Sequence, residues 1–330
     1  MMRRREFIAA AVAAAASALL PRAAGALSGR RVLTATDVHP KDYPTVRAVQ
    51  WIGEVLAKET RGALSIRQYP SGQLGRESDS IDMARFGAID ITRVYTGGLN
   101  NAFPLTQALC LPYVFDSVVH LRRALDGEVG DAVLRGFEAR GLVGLAIYDS
   151  GARCFYNTRR PLQTPADLRG LKLRVPPSDI FIRLLRDLGA NPTPLAFGEV
   201  YSALETRLID GAENNIRSFH SSRHFEAAPY WSQTEHSYAP DVLLMSQGSF
   251  EALTRDQQQL VRDTARRSVA VMREAWDASE AAARAAIDAS GVHRNASDTA
   301  SFVAAAQPLL RDYLRDPALA VLHRRIRDLA

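Results

Sequence analysis

Residues Gly151–Asn215 read GARCFYNTRRPLQTPADLRGLKLRVPPSDIFIRLLRDLGANPTPLAFGEVYSALETRLIDGAENN. ARCFYNT and LKLRV have the look of strands, the second closed by Pro176 and Pro177. DIFIRLLRDLG and FGEVYSALETRL read as amphipathic helices, and IDGAENN as another strand. Within GLKLRVPPSD (Gly170–Asp179), Leu171, Leu173 and Val175 share one face, which puts Lys172 and Arg174 on the other. An arginine at a strand end is usually a surface ion-pair partner, and Asp167 and Asp179 are at hand to serve Arg174.

The chain on either side continues the alternation. RVLTATDV, ALSIRQY, AIDITRV and LVGLAIYDS read as strands, while YPTVRAVQWIGEVLAKET and ESDSIDMARFG read as helices. This order predicts an α/β fold with a largely parallel sheet, divided into two lobes because 330 residues exceed one comfortable core. Met83–Ile91 and Ser202–Gly211 echo each other as helix-then-strand units containing Ile-Asp, a hint that the lobes are built alike. From Thr254 to about Ser290 there is neither Gly nor Pro, and Thr254 suits a helix N-cap. A helix of that length reaches roughly 50 Å and should run across both lobes. TASFVAAAQPLLRDYLRD and PALAVLHRRIRDL supply terminal helices.

The first 26 residues differ from the rest. An arginine cluster, an Ala-rich apolar stretch and the ending Ala24-Gly25-Ala26 form the layout of a cleaved export signal. Arg4-Arg5-Glu6-Phe7-Ile8 fits the twin-arginine pattern. Cleavage after Ala26 removes four arginines and one glutamate, so a net charge of +5 falls to +2. No basic run interleaved with aromatics is left to bind nucleic acid, and no later apolar run approaches membrane-spanning length. Cys110 and Cys154 would meet an oxidising compartment, where pairing is permitted, yet cysteines in such apolar segments are more often simply buried.

Signatures of catalysis are missing. There is no Gly-x-Ser-x-Gly elbow, phosphate loop or dinucleotide fingerprint, and hence no cofactor is expected. His220 and His224 are spaced to share a metal on one helix, but no third ligand accompanies them.

Taken together, Gly151-x-Arg153, DLRGLKLRVP, GANPTPLAFGEVYSALET and DGAEN resemble the signature region of the solute-binding proteins of tripartite ATP-independent periplasmic (TRAP) transporters, the DctP family. The resemblance extends to SGQLGRESD, LPYVF and LTRDQQQLV and so covers essentially the whole chain after the leader. It implies a clamshell of two α/β lobes with mixed sheets, braced by the long helix, that closes over a small organic acid. The expected lobes are residues 27–150 with 240–279, and residues 151–239 with 280–330. It also implies a periplasmic location, TRAP membrane permease subunits as partners, and a monomeric protein that is not an enzyme.

The resemblance assigns Arg174 to the ligand carboxylate, for which a guanidinium offers a planar, permanently charged fork. Arg153 matches a second carboxylate-facing arginine, Asn214 the asparagine after Asp-Gly-x-Glu, and Phe197 an aromatic wall. Glu77 falls at a ligand-facing position of the first lobe, with Arg93 and His39 added from their places at strand ends. Asn215 stands where many members carry proline and adds an amide beside the ligand. An acid bearing several hydroxyls, such as a uronate or related sugar acid, suits this set. The alternatives are an exported hydroxy-acid enzyme and a periplasmic ligand sensor.

Overall fold

The alternation in RVLTATDV forms β1 (Arg31–Thr36), with Leu33 and Ala35 in the core and Val32 outside. Helix α1 (Pro44–Glu59) begins on a proline, whose missing N–H costs nothing there, and buries Val46, Val49, Ile52 and Leu56. β2 (Leu64–Tyr69), α2 (Glu77–Arg85), β3 (Ile91–Tyr95), α3 (Val118–Leu125), α4 (Glu128–Arg135) and β4 (Leu142–Tyr148) follow. The chain then crosses to a second sheet with β5 (Arg153–Asn157), β6 (Lys172–Val175), α5 (Asp179–Asp187) and β7 (Asn191–Pro194). That lobe continues through α6 (Val200–Glu205), β8 (Gly211–Asn215), α7 (Ile216–Ser221) and β9 (Tyr230–Ser237). β10 (Asp241–Ser246), α8 (Arg255–Ala289), β11 (His293–Ala296), α9 (Thr299–Tyr313) and α10 (Pro317–Arg327) complete it. The computed structural model describes residues 30–330, so the expected export signal lies outside the described residues.

The two sheets have the orders β2-β1-β3-β10-β4 and β11-β9-β5-β8-β6-β7. In the first, β1 runs parallel to β2 and β3, while β10 lies antiparallel between β3 and β4. In the second, β6 runs parallel to β7 and β8, while β5 lies antiparallel between β8 and β9. The sheets are therefore mixed, and the largely parallel sheet expected from alternation alone does not form. The cause is an exchange of strands. β5 follows β4 directly yet pairs in the second sheet, and β10 follows β9 yet pairs in the first. The Ile-Asp echo is structural. Asp90 accepts from the Thr34 backbone N–H at 2.7 Å, and Asp210 does the same for Lys172 at 2.9 Å. Each aspartate thus ties its helix–strand turn to the neighbouring parallel strand.

Helix α8 starts on the expected cap, the Thr254 hydroxyl accepting from the Gln257 N–H, and runs unbroken for 35 residues. Its first two-thirds bury Val261, Ala265, Met272 and Trp276 with α1 and β4, and Ile287 joins the core of the second lobe. The expected grouping of residues 280–330 with the second lobe meets an exception at α10. That helix packs on α4 and on the turn Pro104–Leu109, and Arg327 pairs with Asp116 at 2.7 Å, all first-lobe partners. One continuous apolar cluster takes in Leu109, Leu121 and Val133, then Leu319, Leu322 and Ile326 of α10, and also Leu173, Phe181 and Phe302 of the second lobe. The exception therefore rests on the packing of α10 and the Arg327–Asp116 pair. Cys110 and Cys154 are both buried and free.

Candidate functional site

The strand ends of both lobes converge on one cavity, lined by all eight residues expected from the sequence: His39, Glu77, Arg93, Arg153, Arg174, Phe197, Asn214 and Asn215. Val38, Tyr43, Tyr95, Ser150, Pro176, Ser218 and Asp241 complete the wall. The lobes are in contact across it. The Tyr43 hydroxyl is 2.9 Å from that of Ser218, Asn100 donates to the Ser178 hydroxyl at 3.0 Å, and Arg76 pairs with Glu199 at 2.8 Å on the rim.

Three buried arginines enter this cavity, and what separates them is the carboxylates around each. Arg93, from β3, donates through Nε to Asp37 at 3.0 Å and also through its second terminal nitrogen to the same carboxylate. Its remaining terminal nitrogen reaches Glu77 at 3.0 Å and Asp241 at 3.3 Å. Arg153, from β5, is clasped in a fork by Glu213 at 2.5 and 2.9 Å and touches Asn214 Oδ1 at 3.1 Å. Burial opposes ionisation of Glu213, but the Arg153 guanidinium and His236 outweigh it and hold the carboxyl down to about 2.

Arg174 is held differently. It is 4 % exposed, sits on β6 between β7 and β8, and uses Nε to donate to the Leu195 carbonyl at 2.9 Å. Of a guanidinium's five N–H donors the other four are without a protein acceptor, and no carboxylate pairs with it among the described residues. Burial lowers its pKa, the signature of a desolvated cation short of counter-charge. Asp167 and Asp179 do not serve it. Asp167 accepts from the Thr164 N–H, and Asp179 opens α5.

The other expected residues divide by how much hydrogen-bonding capacity they retain. Asn215 caps α7, its Oδ1 accepting from the Ser218 N–H at 2.7 Å, and so presents its NH₂ to the cavity wall. Asn214 Oδ1 takes the Asn215 N–H and Arg153, which likewise leaves its NH₂. Glu77 accepts from the Tyr95 N–H and from Arg93 through one oxygen, leaving the second. His39 stacks on Tyr43 at 3.7 Å and meets Phe197 edge-on at 5.1 Å, an aromatic corner made by both lobes. Burial and the Arg93 charge push its pKa down to about 3, so the ring is neutral, and its Nδ1 is buried without a partner.

Asp37, Glu213 and Asp241 were not foreseen as site residues. For Asp241 the signal was in the sequence: an aspartate directly after Pro240 heads the run Val242–Met245, which is wholly apolar. Burial raises its carboxyl to about 7, with Arg93 opposing and Glu77 and Asp37 adding to the rise. His220 and His224 fall in separate short helices, divided by Arg223 in a left-handed conformation, and His224 Nδ1 bonds the Tyr156 hydroxyl at 2.8 Å. No metal-holding group of His, Cys, Asp or Glu occurs among the described residues.

Two lobes of matching topology, joined by strand crossings and a bracing helix around a buried polar cavity, define a solute-binding protein. The chain belongs to the bacterial extracellular solute-binding protein family 7 (DctP), whose model matches residues 35–316. Membership makes it a transport binding protein and sets aside the exported-enzyme alternative. It is 47% identical to a TRAP periplasmic solute-binding protein of Bradyrhizobium sp. BTAi1 solved with α/β-D-galacturonate, covering 90% of this chain and 100% of that one with a TM-score of 0.89. A TRAP solute-binding protein of Xanthobacter autotrophicus Py2 with β-D-galacturonate is 44% identical, covering 90% and 99%, with a TM-score of 0.88. One of Roseobacter denitrificans with β-D-glucuronate is 37% identical, covering 90% and 99%, with a TM-score of 0.87. No helix among the described residues is long and apolar enough to cross a membrane.

Proposed function

We propose that this protein captures hexuronates in the periplasm, as a monomer, and delivers them to a TRAP-type membrane permease. The observation that carries the reading is Arg174, a buried guanidinium with four uncommitted donors in a cavity where the other two arginines are already paired. A monocarboxylate supplies the missing counter-charge in the fork geometry that strengthens such bonds. The NH₂ groups of Asn214 and Asn215 and the free oxygen of Glu77 offer donors and an acceptor for sugar hydroxyls. His39 and Phe197 supply the apolar contact that a pyranose ring face requires. The uronates found in the Bradyrhizobium, Xanthobacter and Roseobacter proteins support the same ligand class. Arg93 and Arg153 serve mainly as the organisers of this wall.

Calorimetry tests the assignment. Galacturonate or glucuronate should bind at least about tenfold tighter than succinate or malate, a gap of roughly 1.4 kcal/mol. Equal or tighter binding of the dicarboxylates would remove the uronate assignment.

A further inference from the structure

Three carboxylates share one guanidinium on the first-lobe wall. Asp37, Glu77 and Asp241, from the end of β1, the start of α2 and the start of β10, all reach Arg93. With every group ionised, that wall has two negative charges in excess, while on the other lobe Arg153 and Glu213 cancel, Arg174 is left without a carboxylate and Arg217 lies over the Tyr43 ring, 5.1 Å from its centroid. A ligand carboxylate at Arg174 completes the second lobe. Among the described first-lobe residues lining the cavity Arg93 is the one charged cation, and three carboxylates already share it.

We propose that Asp241 sets the charge selectivity of the site, admitting sugar monoacids and rejecting the diacids of the same carbon skeleton unless it first takes up a proton. The inference rests on the uronate reading above. A ligand hydroxyl is both donor and acceptor and so finds a bonding partner in either an ionised or a protonated Asp241. A second ligand carboxylate only accepts. Beside an ionised Asp241 it is a like charge in a desolvated cleft, an arrangement that excludes a ligand.

Asp241 is well placed for this. It is 3 % exposed, lines the cavity, and makes one contact with Arg93, at 3.3 Å, where Asp37 takes two of that guanidinium's nitrogens. The groups facing it are Arg93, Glu77, Asp37 and Arg153, with the un-ionised Tyr43 and Tyr95. His39, beside them on the same wall, is neutral. Burial displaces the Asp241 carboxyl upward, to about 7, so it titrates in the ordinary working range while both ligand acids stay ionised. A raised carboxyl is protonated below that value and charged above it, so rejection strengthens as pH rises.

The test compares galacturonate with galactarate by calorimetry at pH 8.5 and 5.5. Wild-type protein should prefer galacturonate by at least about thirtyfold at the higher pH, the size of effect a buried like-charge pair produces, and the preference should shrink to a few-fold at the lower. Galacturonate affinity itself should move less than about threefold. In Asp241→Asn the preference should be small and the same at both pH values. For wild type near pH 7.5, calorimetry in two buffers of different ionisation enthalpy should show a proton taken up with galactarate and none with galacturonate, whether or not the variant folds. A preference that is absent at pH 8.5, equal at both pH values, or still pH-dependent in Asp241→Asn overturns the proposal, as does galactarate binding without proton uptake. Failure of galacturonate to bind at all removes the uronate reading and this one with it, whereas equal binding of both acids overturns only this one.

Discussion

Arg153 and Arg174 are both buried in the same sheet and differ in what compensates their charge. Removing one partner of a buried pair leaves the other uncompensated, typically at about 3–5 kcal/mol. Arg153→Ala should therefore lower unfolding stability by about that much, since Glu213 keeps only His236, at 3.4 Å, in denaturant titration. Arg174→Ala strands no carboxylate. It should fold with undiminished stability and lose about 2–5 kcal/mol of uronate affinity in calorimetry. Arg174→Lys should weaken binding greatly as well, because a mobile ammonium cannot replace the planar fork. Glu213 contributes to the loss of stability in acid, alongside the depressed Asp37 and the buried neutral His39 and His224. A carboxyl depressed from 4.5 to about 2 contributes stability that is complete above the unfolded value and lost as pH falls through the folded one. Circular dichroism should show a destabilisation on acidification over that window that is flatter in Glu213→Gln. Two-residue periodicity and the double proline placed Arg174 on the strand face opposite the apolar one. Its ligand role was readable only through the family resemblance, because a lone strand-end arginine reads as a surface ion-pair partner. Its distinction from Arg153 and Arg93 was not legible. Glu213 and Asp37, which fork onto those two, lie 60 and 56 residues away in the chain, a proximity only the folded sheets create.

At the scale of elements, α8 was the easiest to foresee, because a run without Gly or Pro behind a good cap leaves few other conformations. The mixed sheets were harder, since hydrophobic alternation is the same for parallel and antiparallel neighbours. The crossing from β4 to β5 depends on Gly151, whose φ is +70°. A β-carbon there would lie 3.0 Å from a Glu280 carboxylate oxygen and 3.4 Å from the Trp276 ring, both on α8. Gly151→Ala should cost about 1–2 kcal/mol from the left-handed backbone alone, measured by denaturant titration. Because the strain falls where the chain passes between lobes, uronate affinity should change with it. Gly170→Ala is the control, with a similar φ of +78° and no atom within 4 Å of the added carbon.

At the scale of the whole molecule, contacts between the lobes exist only when they are apposed, and each biases the opening equilibrium. Ser178→Ala removes the acceptor for Asn100 without touching the cavity wall. It should disfavour closure by about 1 kcal/mol, weaken uronate binding roughly fivefold, and leave unfolding stability nearly unchanged. Small-angle scattering should show uronate compacting the wild-type protein, and Ser178→Ala needing more ligand to reach the same radius of gyration. The exchange of β5 and β10 also governs how the protein comes into being. A nascent chain that has emerged only to residue 150 holds β3 and β4 with the slot of β10 empty between them, two raw edges open to any other strand. The sheet begun first at the ribosome thus waits for β10, which emerges only after five of the other sheet's six strands. Cutting the gene at that point yields two sticky fragments in place of two modules, and the chain has to become native as a whole.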